Sequence, residues 1–321
     1  MLAIDVEGLR KSYKDVCALD GLTFSVEEGA VFGLLGPNGA GKSTTVKILV
    51  TLSSADSGRA IVAGFDVTAD AERVRGAIGY VPQASGVDVH ATGRENLMLQ
   101  GRVQRVPPAA LRRRVDELLD AFSIREFADR IVRTYSGGMM RRLDVAMGLV
   151  HRPKVLFLDE PTTGLDPEAR VAMWDELGRL AGEEQLTILL TTHYLEEADH
   201  LAGRIAIVSR GQVVVQGAPD ELKRQLRGDA VTVELADGEA GPAAPVVERL
   251  GVVEETIVDG RYLRARVEHG AQAVPSILST LESEGIAVAA VTVSRPSLDD
   301  VYLHYTGRDF RSEDEAGSTV S

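Results

Sequence analysis

One stretch, Gly36-Pro37-Asn38-Gly39-Ala40-Gly41-Lys42-Ser43-Thr44, has the residue types and spacing that phosphate chemistry requires. It fits G-x-x-x-x-G-K-[ST] between an apolar strand and a helix start. Glycines let backbone N–H groups converge on phosphate oxygens, and the N-terminus of the next helix adds positive potential. Lys42 is expected to reach the β- and γ-phosphates of a nucleotide, and the Ser43 hydroxyl to ligate Mg²⁺. A second reactive pair ends the apolar run Val-Leu-Phe-Leu-Asp159-Glu160. Asp159 is expected to hold Mg²⁺ directly or through water. Glu160 is expected to polarise the water that attacks the γ-phosphate, general-base help worth about 10² to 10⁴ in rate. His193 follows another apolar strand, which sets it near Asp159 and within reach of the γ-phosphate.

These groups need a sheet to hold them. Short apolar runs rich in β-branched residues recur at 30–35, 155–158, 187–190 and 204–209, each followed by a turn or helix start. That pattern predicts buried parallel strands of an α/β domain, with ligands at their carboxyl ends. Half-exposed strands are expected at 4–8 and 22–26, and helices at 43–50 and 141–150. From 92 to 150 the pattern turns helical and reads as an inserted subdomain. Arg141 and Arg142 read as a solvated face of the last of its helices. A Gly-, Pro- and Ala-rich stretch at 236–245 suits a loop or linker. Strands at 230–235, 262–267 and 287–293 and a helix at 274–284 then predict a small α+β appendage. The expected organisation is a nucleotide-binding domain over 1–228, an accessory domain over 229–306 and a disordered tail over 307–321.

Further motifs carry a family resemblance. Tyr135-Ser136-Gly137-Gly138-Met139 is similar to the LSGGQ signature of ATP-binding cassette (ABC) proteins, with Met139 in place of the family's Gln. Ser136 would cap a helix whose first N–H groups, freed by Gly137 and Gly138, can approach a γ-phosphate. Gly164-Leu165-Asp166 resembles the D-loop, Thr191-Thr192-His193 the switch histidine, and Tyr80-Val81-Pro82-Gln83 the Q-loop. Tyr13 resembles the aromatic that stacks on adenine. The order Tyr13, Lys42, Gln83, Ser136, Glu160, Asp166, His193 is the family's order, and the likeness covers residues 2–227. It implies a P-loop ABC cassette with a mixed sheet core, an antiparallel β subdomain and a helical subdomain. It also implies catalytic roles for Glu160, His193 and Gln83, and Gln83 as a further Mg²⁺ contact. Two cassettes of this family pair head to tail, each signature closing the other's ATP site, so a second copy of the chain is the expected partner. The segment Arg295-Pro-Ser-Leu-Asp-Asp-Val-Tyr-Leu303-His-Tyr-Thr-Gly307 resembles the C-terminal motif of bacterial daunorubicin/doxorubicin-resistance ATP-binding proteins.

Composition narrows the partners. The 321 residues carry 35 basic and 48 acidic side chains, a net charge of −13 that argues against nucleic acid. No run of 18 apolar residues occurs, so the polytopic permease that the resemblance implies is expected to be another chain. The first residues lack the basic and apolar regions of a secretion signal, and the single Cys17 fits a reducing cytoplasm. The expected location is peripheral, on the cytoplasmic face of a bacterial membrane, and the expected task is ATP-driven efflux of a drug, antibiotic or other hydrophobic compound. The alternative is a soluble ABC-type switch uninvolved in transport. No N-K-x-D motif is present to read guanine.

Overall fold

The computed structural model describes residues 1–226 and 228–306. Two long antiparallel strands, β1 (Leu2–Tyr13) and β2 (Val16–Glu27), come first. Next, β3 (Val31–Leu35) enters the phosphate loop and α1 (Lys42–Leu49) leaves it. Strands β4 (Ser57–Val62) and β5 (Phe65–Asp66) return to the first pair, and α2 (Ala71–Ala77) leads into β6 (Ile78–Val81). Helices α3 (Gly93–Val103), α4 (Pro108–Ala121) and α5 (Gly137–Gly148) fill the stretch read as helical. The unit finishes with β7 (Val155–Asp159), α6 (Pro167–Glu184), β8 (Thr187–Thr192), α7 (Leu195–Leu201), β9 (Arg204–Ser209) and β10 (Gln212–Gly217).

These strands make a six-stranded sheet in the order β10-β9-β3-β8-β7-β6 and a four-stranded one in the order β2-β1-β4-β5. Every residue of β7 and β8 is buried, which is why both read as continuous apolar runs rather than alternating ones. Alternation along β7 sends Val155 and Phe157 into a core shared with the antiparallel sheet through Ile4, Leu22 and Phe24. Leu156 and Leu158 point the other way, into a core built with Leu97, Leu118, Leu143 and Leu177 of the helices. The mixed sheet, antiparallel subdomain and helical subdomain are thus all present.

Some elements differ in extent from the sequence reading. β1 and β2 run well past 4–8 and 22–26, because polar residues such as the exposed Arg10 and the half-buried Lys11 keep their ladder pairing with Asp20 and Leu19. α5 starts at Gly137, not 141, since the Ser136 hydroxyl accepts from the Met139 N–H at 3.2 Å and draws both glycines into the first turn.

The contacts divide the chain between Gln216 and Gly217, earlier than the boundary at 228 read from sequence. The reason is α8 (Pro219–Gln225), which packs in the second unit against its last helix, where the Tyr305 hydroxyl donates to Gln225 at 3.1 Å. That unit continues with β11 (Asp229–Leu235), α9 (Ala244–Glu248), β12 (Val253–Asp259), β13 (Tyr262–Val267), α10 (Gly270–Ser283), β14 (Val288–Ser294) and α11 (Leu298–Thr306). Its strands pair antiparallel in the order β12-β13-β11-β14. The short α9 lies partly in the expected loop. β12, an edge strand with three acids, was hidden by its charge. At the segment read as a family motif, Ser297 and Asp300 cap α11 reciprocally, with Ser297 N–H to Asp300 at 2.8 Å and Asp300 N–H to Ser297 Oγ at 3.2 Å. Val301, Tyr302 and Leu303 are buried behind that cap. The tail expected to be disordered, 307–321, lies outside the described residues.

The approach of α5 to the sheet depends on Gly79 of β6, where a Cβ would lie 2.2 Å from the Gly148 carbonyl oxygen. Gly79→Ala is therefore expected to destabilise the first unit by about 1–3 kcal/mol, the usual range for overpacking. Denaturant titration followed by fluorescence of the single tryptophan, Trp174 in α6, measures it.

Candidate nucleotide site

Strands β3, β8, β7 and β6 lie side by side and parallel, so their carboxyl ends line one edge of the sheet. The residues that follow them are therefore neighbours in space: the phosphate loop after β3, His193 after β8, Asp159 and Glu160 at β7 and Gln83 after β6. This register brings most of the chemistry read from sequence to one place.

The loop itself is held by close backbone contacts. A Cβ on Gly36 would meet the Val208 carbonyl oxygen at 2.4 Å, and one on Gly41 (φ +109) would meet that of Ala18 at 2.6 Å. Lys42 is buried, and its Nζ donates to the carbonyls of Gly36 at 2.6 Å and Pro37 at 3.1 Å. It also sits 4.0 Å from Glu160 Oε1. Ser43 Oγ lies 3.2 Å from Asp159 Oδ1, which also accepts from Thr191 Oγ1 at 2.6 Å.

Glu160 occupies a strained position, with φ +48 for a residue that is not glycine. Its N–H bonds to Thr191 O and Oγ1, both at 3.1 Å, and these bonds hold the turn. Its Oε2 accepts from Gln83 Nε2 at 2.9 Å and Thr163 Oγ1 at 3.2 Å. His193 Nδ1 faces Oε1 at 3.4 Å and makes no hydrogen bond among the described residues. Burial alone would raise the Glu160 pKa. His193, Lys42 and the Thr163 hydroxyl outweigh that and hold the carboxyl below its ordinary value. The group is thus an anion at neutral pH, the form a general base needs.

The remaining sequence candidates lie apart from this cluster, and no hydrogen bond or ion pair joins them to it among the described residues. Tyr13 is exposed, with its hydroxyl 3.3 Å from Ser53 Oγ and the Lys11 ammonium 5.3 Å from its ring centre. Ser136 and Gly137 are exposed at the start of α5, and a Cβ on Gly137 would meet open space. Asp166 caps α6, accepting from the Ala169 N–H at 2.8 Å. Met139 packs instead on the helical core.

Three features escaped the sequence reading. Arg141 is not on a solvated face: it is buried, and its guanidinium donates to four main-chain carbonyls around the site. Arg142 is half-buried. Thr191 joins Asp159 to Glu160, and its place just before His193 was the available signal. Glu197 is wholly buried under the loop after Glu160, where its Oε1 accepts from Thr162 Oγ1 at 2.9 Å and Trp174 Nε1 at 3.0 Å.

A phosphate loop facing an acidic strand end, with a helical insertion whose last helix opens on Ser-Gly-Gly, defines an ATPase of the ABC cassette class. Comparison with known proteins agrees. Residues 19–163 match the ABC transporter family, and 217–306 match the DrrA1-3-like ATP-binding protein C-terminal domain. The chain is 46% identical over 98% of its length to the daunorubicin resistance ATP-binding protein DrrA3 of Streptomyces coeruleorubidus, covering 99% of that protein. It is 43% identical to the daunorubicin/doxorubicin resistance ATP-binding protein DrrA of Streptomyces peucetius, covering 98% of this chain and 96% of that one. Among solved structures, cbiO1 from Clostridium perfringens, part of an ABC transporter complex, superposes with a TM-score of 0.64 at 28% identity, covering 70% of this chain and 94% of that one. The chain belongs to the ABC transporter ATP-binding proteins, in the group of the daunorubicin/doxorubicin-resistance proteins.

Burial raises the Glu197 pKa, against the Thr192, Thr162 and Trp174 hydrogen bonds that lower it. A carboxyl raised in the folded state binds more protons folded than unfolded, so its contribution to stability falls as pH rises above its unfolded value. Glu197→Gln removes that dependence. The melting temperature of the variant is expected to gain on wild type as pH rises above the ordinary carboxylate range and to stop gaining once pH passes the raised Glu197 value, as calorimetry across a pH series would show.

Proposed function

We propose that this chain hydrolyses ATP to drive an exporter whose membrane part is a separate polytopic permease. In this reading two copies close head to tail over two ATP molecules. Lys42 and the amides of 36–44 hold the phosphates, and Tyr13 stacks on adenine. Ser136, Gly137 and Gly138 of the other copy approach the γ-phosphate, with Asp166 at the joint. Glu160 takes the proton of the attacking water, His193 steadies the γ-phosphate, and Gln83 orients the water and the metal.

The donor set fits Mg²⁺. Ser43 Oγ and Asp159 Oδ1 are hard oxygen donors 3.2 Å apart, and no cluster of three or more His, Cys, Asp or Glu forms a self-sufficient cage among the described residues. Mg²⁺ bound there would neutralise charge on the β- and γ-phosphates. The observation that carries the reading is Glu160, ionised, buried and aimed between Lys42, Gln83 and His193.

The transport part is supported by the family and by relatives named for daunorubicin and doxorubicin resistance. Among the described residues no helix is long and apolar enough to cross a membrane. Peripheral attachment to a permease at the cytoplasmic face of a bacterial membrane, and efflux of a drug or similar hydrophobic compound, belong to the same proposal.

Glu160→Gln tests it. The variant is expected to bind ATP with near wild-type affinity, to turn over about 10² times more slowly or less, the scale of general-base loss, and to dimerise when ATP is added. Nucleotide binding, phosphate release and light scattering read these separately. Undiminished turnover would remove Glu160 from its role.

A further inference from the structure

Arg141 is out of place for a surface residue. It leaves only 7% of its surface to water, in a chain whose arginines are mostly exposed. Burying a guanidinium demands that its fixed fork of donors be filled. Here the fork is filled by carbonyls from two separate segments. Nη1 donates to Pro82 O at 2.7 Å, Nε to Pro161 O at 2.7 Å, and Nη2 to Asp159 O at 3.1 Å and Glu160 O at 3.2 Å. The first acceptor precedes Gln83, and the others bracket Glu160. One turn further along α5, on the same face, buried Asp144 accepts from the Gly86 N–H at 3.0 Å. Gln83 is therefore pinned on both sides to the helix that opens with Ser136-Gly137-Gly138. The loop closes on itself where Gln83 Nε2 donates to Glu160 Oε2 at 2.9 Å.

We propose that Arg141, assisted by Asp144, is a positioning residue for hydrolysis, setting Gln83 opposite Glu160 and making that placement follow the helix that carries the signature. The inference rests on the roles given above to Glu160 and Gln83. A four-way carbonyl grip transmits displacement better than a single bond does, because the rigid fork cannot satisfy one segment while the other drifts. Contact of another copy's nucleotide with the exposed start of α5 would thereby be felt at Gln83 and Glu160, and the two ATP sites of a dimer would be coupled.

The test uses the full chain. In Arg141→Gln, ATP affinity should stay within about threefold of wild type while kcat falls about twentyfold or more, as expected when geometry rather than binding is lost. Amide hydrogen exchange should quicken at residues 83–88 and stay unchanged at 39–44. Arg141→Lys, which keeps the charge but not the fork, should fall between. Turnover within about twofold of wild type, or an affinity loss as large as the loss of turnover, would overturn the proposal. Should Arg141→Gln fail to fold, Asp144→Ala decides. Lower turnover with faster exchange at 83–88 supports the positioning role, and unchanged values of both overturn it. A wild-type chain that binds ATP without hydrolysing it would overturn the assignment of Glu160 as well; normal wild-type turnover with an unaffected Arg141→Gln overturns this inference alone.

Discussion

An ammonium and a carboxylate drawn out of water together lose several kcal/mol of hydration each, and their mutual attraction offsets this only when the remaining donors and acceptors are also filled. Lys42 and Glu160 are such a pair, and the cassette is arranged around them. The Gly36 and Pro37 carbonyls accept hydrogen bonds from the lysine, while Gln83, Thr163 and His193 surround the carboxylate. Each of these partners stands at or just beyond the carboxyl end of β3, β6, β7 or β8. Only parallel pairing in that order delivers all of them to one spot, so the sheet topology is a condition for the charge pair rather than a background to it.

Much of this was legible in the sequence because the interactions that specify it are local. A glycine-rich turn before Lys42 and two acids after an apolar run announce themselves within a few residues. Arg141 did not. Its Pro82 acceptor is 59 residues away, and beside Arg142 it looked like one more charge on a helix. Glu197 was hidden likewise in Leu195-Glu-Glu-Ala-Asp199, where nothing local separates the buried acid from the exposed one. β12 was missed for the opposite reason: an edge strand tolerates the acids that its pattern seemed to forbid.

The two units carry different kinds of constraint. In the first, burial and hydrogen bonding serve a charged centre, and polar groups such as Thr191, Glu197 and Arg141 are taken into the core for it. The second is an ordinary sheet-and-helix layer with an aliphatic core around Val231, Val233, Leu263 and Ile277. Its last helix is fixed by a cap and by the buried side chains of Leu298, Val301, Tyr302 and Leu303, so the segment that resembles the drug-resistance proteins also has a plain structural duty.

The left-handed backbone at Glu160 limits what can stand there. Asn and Asp tolerate that conformation, unbranched Gln strains it no more than Glu does, and β-branched residues are the outliers. The substitutions that abolish the base are therefore among those the backbone accepts most easily. A cassette of this build can lose its turnover in one step while its fold stays intact, which makes silent, shape-preserving copies an accessible outcome of its divergence.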